Sequence, residues 1–420
     1  MRLNSQLTVF ALLVHTLLSI NCNAQRLAFT LKTNGSSTAT GVASSVPGEV
    51  LQFEAGEGTS HCLSEGAIAL LVGDTDGNGT YDDGPVGINA LTSPPGTTAG
   101  SSGFWMSFRT STTFLNGTTV LDGDVVQMEG PGAVTVIYPE SLFEQITATT
   151  GIDIDALHVE DNGQILFSFA DDELTSSNWL IQQNGGNPTL DECTLFRWTP
   201  GAQEAAVYLN RAALIALVNN AMGLNLSTVV DLTGVTRDST SSGELLFTTG
   251  SANNAIEGWI FSTAGAGSVA AFSGQSLNPT AFGFDELERL EALSMVPSEV
   301  PRLSLHINSP IPTGAGAIAS AWVIGATPFA DVYLLASELG FPIPSHQTLP
   351  SLFGAAAFLN LYDQLLMLSL VSPLFRQQAD AFGRADFTFA TPFLPSGLHI
   401  VGQAWNPGAA ILSWPFTVDI

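Results

Sequence analysis

The chemistry written most clearly in this chain is the binding of a hard cation. From Asp74 to Asp82, oxygen-bearing residues stand at alternate positions: Asp74, Asp76, Asn78, Thr80 and Asp82. Gly77 and Gly79 between them let the backbone fold back on itself. Calcium takes six or more oxygens at short range, and so short a loop can supply most of them. The expected ligands are the side chains of Asp74, Asp76, Asn78 and Asp82 and the carbonyl of Thr80, with Asp83 in reserve. The plain alternative is an Asn- and Gly-rich surface turn with incidental acids. The alternation has a coordination reason, and it favours calcium.

A second set of candidate groups is purely acidic: Asp153, Asp155, Asp161, Asp171, Asp172 and Glu173. If the strand carrying Asp155 faces a central channel, paired acids there have the composition for glycoside hydrolysis. Asp153, Asp155 and Asp172 are the candidates for that role, with Trp105, Trp179, Trp198 and Trp259 as rings on which a sugar would stack. The competing reading makes the acids turn and strand-end residues and the tryptophans core, and no partner for the acids can be identified from the sequence. His61, His158, His306, His346 and His399 show no metal-ligand spacing. There is no Gly-x-Ser-x-Gly elbow, phosphate loop or Cys-x-x-Cys pair.

These groups sit in a chain of 420 residues with formal charge 11 − 38 = −27 and a single lysine, Lys32. Such a balance repels nucleic acid and anionic membranes and attracts divalent cations. At 12% charged residues it is neither a salt-adapted surface nor an acidic disordered tail. Positive mean hydropathy with 41 Gly, 22 Pro and many Ser and Thr points to a β-rich product. Residues 1–24 read as an export signal: Arg2, an apolar run from Leu7 to Ile20, and small residues at Cys22 and Ala24 before Gln25. The run is too short to span a membrane as a helix. Cys62 and Cys193 then remain, and they either pair in an oxidising compartment or stand as two unrelated buried thiols.

Stepping along residues 100–285, three segments share one order of elements. A glycine leads an apolar strand at 103–108, 163–168 and 243–248. A turn enters a second strand at 121–126, 190–195 and 255–260. A third strand ends on an aromatic at 134–138, 205–208 and 268–272. A fourth carries a polar or acidic residue near its start, at 153–157, 229–232 and, more weakly, 278–282. Corresponding landmarks lie roughly 60 to 80 residues apart, and four strands per unit is the mark of a propeller blade. A stack of sandwiches is the alternative. Residues 26–100 would supply a further unit, with Gly66–Val72 as a strand leading into the acidic loop. Short helices are expected near Ser141 and over Arg211–Met222, the latter between Asn210 and Gly223.

The chain therefore divides into a signal peptide (1–24), a β-propeller-like repeat domain (25–283), an acidic helix and linker (284–302) and a C-terminal β-sandwich domain (303–420), an all-β organisation throughout. From Leu303 onward charge is so sparse that part of the apolar surface must be covered, and the repeat domain is the expected cover. His399–Trp405 and Leu412–Val418 look like a closing strand pair.

This arrangement resembles a group of mostly uncharacterised secreted bacterial proteins with a repetitive β region and a compact apolar last domain. Val332–Ser337 and Gly402-Gln403-Ala404-Trp405 with the Leu412–Ile420 end carry that resemblance. It implies a fold style and an extracellular or envelope address, and no activity. The acidic loop separately resembles the calcium loops of integrin-type propellers (FG-GAP-like), with the pattern Asp-x-Asp/Asn-x-Asp/Asn-Gly-x-x-Asp. It departs from an EF-hand, because Pro85 occupies the twelfth place.

The expected function is thus that of an exported calcium-binding, non-enzymatic binding or surface-structural protein, with an unknown protein or glycan ligand at the cell exterior and no nucleic acid. The alternative is a secreted polysaccharide-acting hydrolase. For the calcium loop the outcome is definite: calorimetric titration registers calcium binding, and chelation lowers the melting temperature. A flat titration with an unmoved melting temperature removes calcium from this reading.

Overall fold

The computed structural model describes residues 26–33, 47–95, 104–307, 318–338, 364–390 and 399–419, apart from internal gaps of which the longest is 73–86. The signal-peptide residues and the whole loop with Asp74, Asp76, Asn78, Thr80 and Asp82 lie outside the described residues. What is described is overwhelmingly β, in small antiparallel sheets with few helices.

Four sheets have four strands each. The first runs Leu290–Val296, Arg26–Leu31, Val50–Glu54, Gly58–Leu63. The second runs Ile88–Thr92, Trp105–Phe108, Val125–Gly130, Ala133–Tyr138. The third runs Ile154–Val159, Ile165–Phe169, Leu195–Trp198, Ala206–Leu209, and the fourth Val230–Arg237, Leu245–Gly250, Phe261–Ser262, Ser268–Val269. The leading strand of each packs against the leading strands of its two neighbours, so that the four close a ring. The first sheet is composite: its leading strand comes from residues 290–296 and pairs with the N-terminal strand, Arg26 opposite Val296 and Leu27 opposite Met295.

Four buried clusters fill the four spaces between successive sheets. Ala28, Leu63, Ile88 and Met106 lie between the first and second, and Ala90, Ile154, Phe167 and Phe169 between the second and third. Leu166, Leu195, Val235 and Phe247 lie between the third and fourth, joined by Leu214 and Val218 of the Arg211–Met222 helix. Leu246 and Ile260 meet Phe29 and Phe53 between the fourth and the first. Each sheet is thus covered on both faces, which is why its strands read as continuous apolar runs rather than alternating ones. Hydrogen bonds cross the same spaces: Thr30 Oγ1 donates to Ile88 O, Ser168 Oγ to Leu232 O, and Thr233 Oγ1 to Leu290 O.

The expected 12-residue helix forms where its caps require. Asn210 accepts from the Ala213 N–H, and Gly223 terminates it at φ 63° in the left-handed region that glycine enters without strain. Other expectations are corrected. The segment read as an acidic helix and linker contains the strand Leu290–Val296, buried along its full length; its acids suggested solvent, whereas pairing with residue 26–31 partners puts it inside. The weak fourth strand at 278–282 is a short helix, Pro279–Phe282, because Asn278 caps it and Gly283 ends it. Within Gly66–Val72 the described residues Ile68, Ala69 and Val72 are helical. The helix near Ser141 begins at Glu140 after Pro139 with no side-chain cap, so the capping box does not form. Cys193 is a buried free thiol donating weakly to Val229 O, and no Cys62–Cys193 disulfide exists; Cys62 lies on the last strand of the first sheet, two sheets away.

From Leu303 on, a three-stranded sheet (Ser304–Ile307, Ile318–Ile324, Ala385–Ala390) and a five-stranded sheet centred on Asp331–Glu338 and His399–Asn406 share one core of Leu305, Val323, Val332, Leu334, Phe387 and Ala404. His399–Asn406 pairs with Ile411–Leu412 and with Phe416–Asp419, as the sequence suggests. On its other face, Leu335 joins the buried cluster of the first and second sheets, and Tyr333 and Trp405 pack against it. The repeat region thus covers one face of the five-stranded sheet, whereas Ile318, Phe329, Met367, Leu368, Val371 and Leu374 of the C-terminal region stay exposed.

Ring closure leaves no room at Gly234, in the leading strand of the fourth sheet. A Cβ there would stand 2.8 Å from Leu293 Cβ and 2.9 Å from Thr248 Cγ2. Gly234→Ala should therefore lower stability by about 1–3 kcal/mol through overpacking. Thermal denaturation is the check, and a variant melting with the parent would show that the ring is less tightly closed than described.

Candidate functional site

The four leading strands begin alike: Ile88-Asn89-Ala90-Leu91, Ile154-Asp155-Ala156-Leu157, Val230-Asp231-Leu232-Thr233 and Leu290-Glu291-Ala292-Leu293. In each, the ladder to the next strand slips by one residue at the second position. Ile88 faces Phe108 but Ala90 faces Ser107; Ile154 faces Phe169 but Ala156 faces Ser168; Val230 faces Gly250 but Leu232 faces Thr249. The slip between Leu290 and Leu293 in the first sheet is the counterpart. A bulge leaves its extra residue unpaired and re-aims the side chain. Here it happens at Asn89, Asp155, Asp231 and Glu291, and the four converge where the strands meet. Asp231 has φ 63°, in the left-handed region that Asp tolerates better than most residues but at a cost.

All four side chains are sequestered: exposure is 3% for Asn89, 3% for Asp155, 8% for Asp231 and 1% for Glu291. Buried charges survive only when paired, and the cations come from equivalent places. Lys32 and Arg109 each follow the second strand of their sheet, and each donates its backbone N–H to the residue two before the bulge, Arg289 O and Gly87 O. Ala170 does the same to Asp153 O in the third sheet. Arg109 Nη2 binds Glu291, and its Nε donates to Asn89 Oδ1 at 3.2 Å. Arg289 Nη2 donates to Asp231 Oδ2 at 2.6 Å. Lys32 Nζ lies 3.6 Å from Asp231 Oδ2 and 3.8 Å from Glu291 Oε1.

Among the described residues, Asp155 has no such cation in contact. The neighbouring charge that acts on it most strongly is that of the Asp231 carboxyl. Burial first, then the charges of Asp231 and Glu291, holds Asp155 far above the ordinary carboxylate range, against a smaller pull from Lys32. Burial likewise raises Glu291, opposed by Arg109, Lys32 and Arg289. Asp153 flanks the ring and accepts from Asn89 Nδ2; burial and the nearby Asp122 push it up to about 8. Glu257 faces Arg289 and Lys32, and Glu192 faces Asp231, both raised chiefly by burial. Among the described residues, no three His, Cys, Asp or Glu side chains are arranged to hold a metal ion.

Of the acids singled out from the sequence, Asp153 and Asp155 reach this ring. Asp172 does not; it accepts the Glu192 N–H on an exposed turn. Glu173 accepts from Thr149 Oγ1 elsewhere. Trp198 is core, Trp105 stacks edge-on with Tyr138, and Trp179 is exposed on a short helix. The residues missed were Asn89, Asp231, Glu291, Lys32, Arg109 and Arg289. The signal was present: Ile-Asn-Ala-Leu, Ile-Asp-Ala-Leu and Leu-Glu-Ala-Leu are one motif, hidden by the exchange of Asn, Asp and Glu.

No family model and no curated protein sequence matches the chain. Among solved structures it is similar to a protein of unknown function from Bacteroides caccae, at 8% identity and TM-score 0.25, covering 65% of this chain and 99% of that one. It is also similar to the extracellular domain of a putative hybrid two-component system from B. thetaiotaomicron (8% identity, TM-score 0.25, 94% of this chain and 56% of that one). A third is PorZ, a surface component of the type-IX secretion system of Porphyromonas gingivalis (9% identity, TM-score 0.18, 93% and 52%). The chain spans just over half the length of the last two. TM-scores this low establish no shared fold. Among the described residues no helix is long and apolar enough to cross a membrane.

Asp153 links this site to pH. Its folded pKa of about 8 lies above the ordinary 3.8, so between those values the folded state holds a proton that the unfolded chain has released. The stability it contributes is full below the lower value and is lost as pH rises through the upper one. Asp153→Asn, which keeps an acceptor for Asn89, should flatten the decline of melting temperature with pH and melt above the parent in mild alkali. Parallel curves for the two proteins would refute this placement of the proton.

Proposed function

We propose that this chain is an exported, calcium-binding, non-enzymatic protein for binding or surface structure, built as a closed four-bladed β-propeller followed by a β-sandwich. The ring of bulged residues carries the reading: carboxyls of Asp231 and Glu291 are spent on guanidinium and ammonium groups, and the four bulged side chains are sequestered. Four sheets in cyclic contact, with an N-terminal strand completing the last of them, support the propeller. Two sheets about a shared core support the sandwich. The leader supports export to the cell exterior or envelope, and the alternating acids of residues 74–82 support calcium. A charge of −27 disfavours nucleic acid as the ligand and leaves protein or glycan.

One observation favours a second reading, a hydrolase acting on polysaccharide. An acid whose pKa is raised by burial and by a second carboxyl, as Asp155 is by Asp231, has the composition of a general acid–base pair. Burial argues the other way: Asp155 is 3% exposed and Asp231 8%, which keeps both carboxyls from a polysaccharide in solution.

The purified protein, incubated with a panel of polysaccharides and assayed for reducing ends, should release none. Turnover that disappears in Asp155→Asn would replace the non-enzymatic reading with the hydrolase.

A further inference from the structure

The helix Gln364–Val371 in the C-terminal region is mounted inside out. It packs along the strand Asp331–Glu338, and among its described side chains the one buried fully is a serine. Ser369 is 0% exposed, and its Oγ accepts the Ala336 N–H at 3.4 Å. Met367, Leu370 and Val371 stand out in water, and Leu374 in the following turn Pro373–Phe375 continues their row. Exposure is 55% at Met367, 40% at Leu370, 75% at Val371 and 63% at Leu374, with Leu368 beside them at 52%. A helix on the surface of a self-sufficient domain turns its polar side outward. Here the i, i+3, i+4, i+7 spacing of a helix-pairing stripe points at solvent instead. We propose that this stripe is the twofold interface of a homodimer, in which the helix of one copy packs against the same helix of the other.

Charge selects a second copy as the occupant. Each copy carries −27, so two molecules meet most readily where that charge is locally absent. Residues 303–420 carry 2 − 6 = −4, and from Gln364 to Ala379 the one charged residue is Arg376. Arg376 is matched by Asp331 on the neighbouring strand and lies over the Tyr333 ring at 5.6 Å. The patch therefore brings no unpaired charge to a contact with itself. Beside the apolar stripe, Arg376, Gln377 and Gln378 are exposed and form the polar rim that surrounds an interface core. A membrane fits less well, because an interfacial helix sets lysine and arginine beside its apolar face, and Gln364–Phe375 has neither. Apolar patches on a monomer reach about 300–600 Å², whereas a standard stable interface buries about 800 Å² on each partner. The contact is thus a weak one, and the dimer forms with rising concentration.

Analytical ultracentrifugation of the whole protein decides the matter, between about 1 and about 100 µM, the range in which a patch of this size holds a dimer. The mass should rise twofold across that range, and at lower concentration in higher salt, which screens the residual repulsion between copies. Val371→Glu places a charge in the middle of the stripe on a side chain that the fold does not bury. It should stay at the monomer mass throughout and melt with the parent. Met367→Gln, a neutral change in the same row, should weaken the dimer by about tenfold, since two such side chains are lost from each dimer. If Val371→Glu does not fold, the parent and Met367→Gln still decide. A parent at the monomer mass up to the highest concentration, or a dimer that Val371→Glu or Met367→Gln leaves intact, would overturn the proposal. If that monomeric parent floats with phosphatidylcholine vesicles and Val371→Glu does not, the stripe belongs to a lipid surface instead.

Discussion

The interaction on which the rest depends is the pairing of Arg26–Leu31 with Leu290–Val296. Each of the four cores in the repeat region lies between two sheets, so no sheet is stable on its own and each needs both neighbours. The chain can satisfy that only by bringing its start back to residue 290. The pairing also gives Leu290–Val296 its ladder and places Arg26–Leu31 in the interior of the sheet. Closing so long a loop is entropically costly, although the cost grows slowly with length. What offsets it is burial: every residue of Leu290–Val296 is inside, and Leu27, Phe29 and Leu31 go with it.

Ring closure forces the second problem, the polar centre. Four strands converging at one level bring their bulged residues together, and in this chain three of them are acids. Isolated there, each carboxylate would cost several kcal/mol to desolvate. The structure answers with cations, Lys32 and Arg109 at repeat-equivalent positions and Arg289 beside Asp231. In a chain of only 11 basic residues, Lys32, Arg109 and Arg289 all stand at this one point. The same arrangement that makes the fold close therefore makes its centre responsive to protons.

The C-terminal sheets follow from the first two. Their own core is small, and their exposed faces lack the charge to stand alone in water. Leu335, Tyr333 and Trp405 settle against the cluster that fills the space between the first and second sheets. The closing sheet of the ring is thus the one that also carries the C-terminal region.

Much of this was legible in the residues themselves. Continuous apolar strands led by glycines, turn residues at regular intervals, and a helix between Asn210 and Gly223 are local signals, and local sterics and hydrogen bonding enforce them. The recurrence of strands and the pairing of the last strands were readable for the same reason, but the fourth strand of each unit as read, at 153–157 and 229–232, leads the next sheet instead of completing its own. Hydrophobic pattern and charge density act wherever the chain goes. What the tertiary structure alone decided concerns partners distant in sequence. Residues 284–302 read as an acidic helix and linker because Asp285, Glu286, Glu288 and Glu291 suggest solvent, and only pairing with the Arg26–Leu31 strand makes Leu290–Val296 the inside of a ring. Asp155 was a strand-end acid until Asp231, Glu291 and Lys32 arrived around it. The charge state of a carboxyl depends on what surrounds it in space, and sequence specifies those neighbours only through the fold.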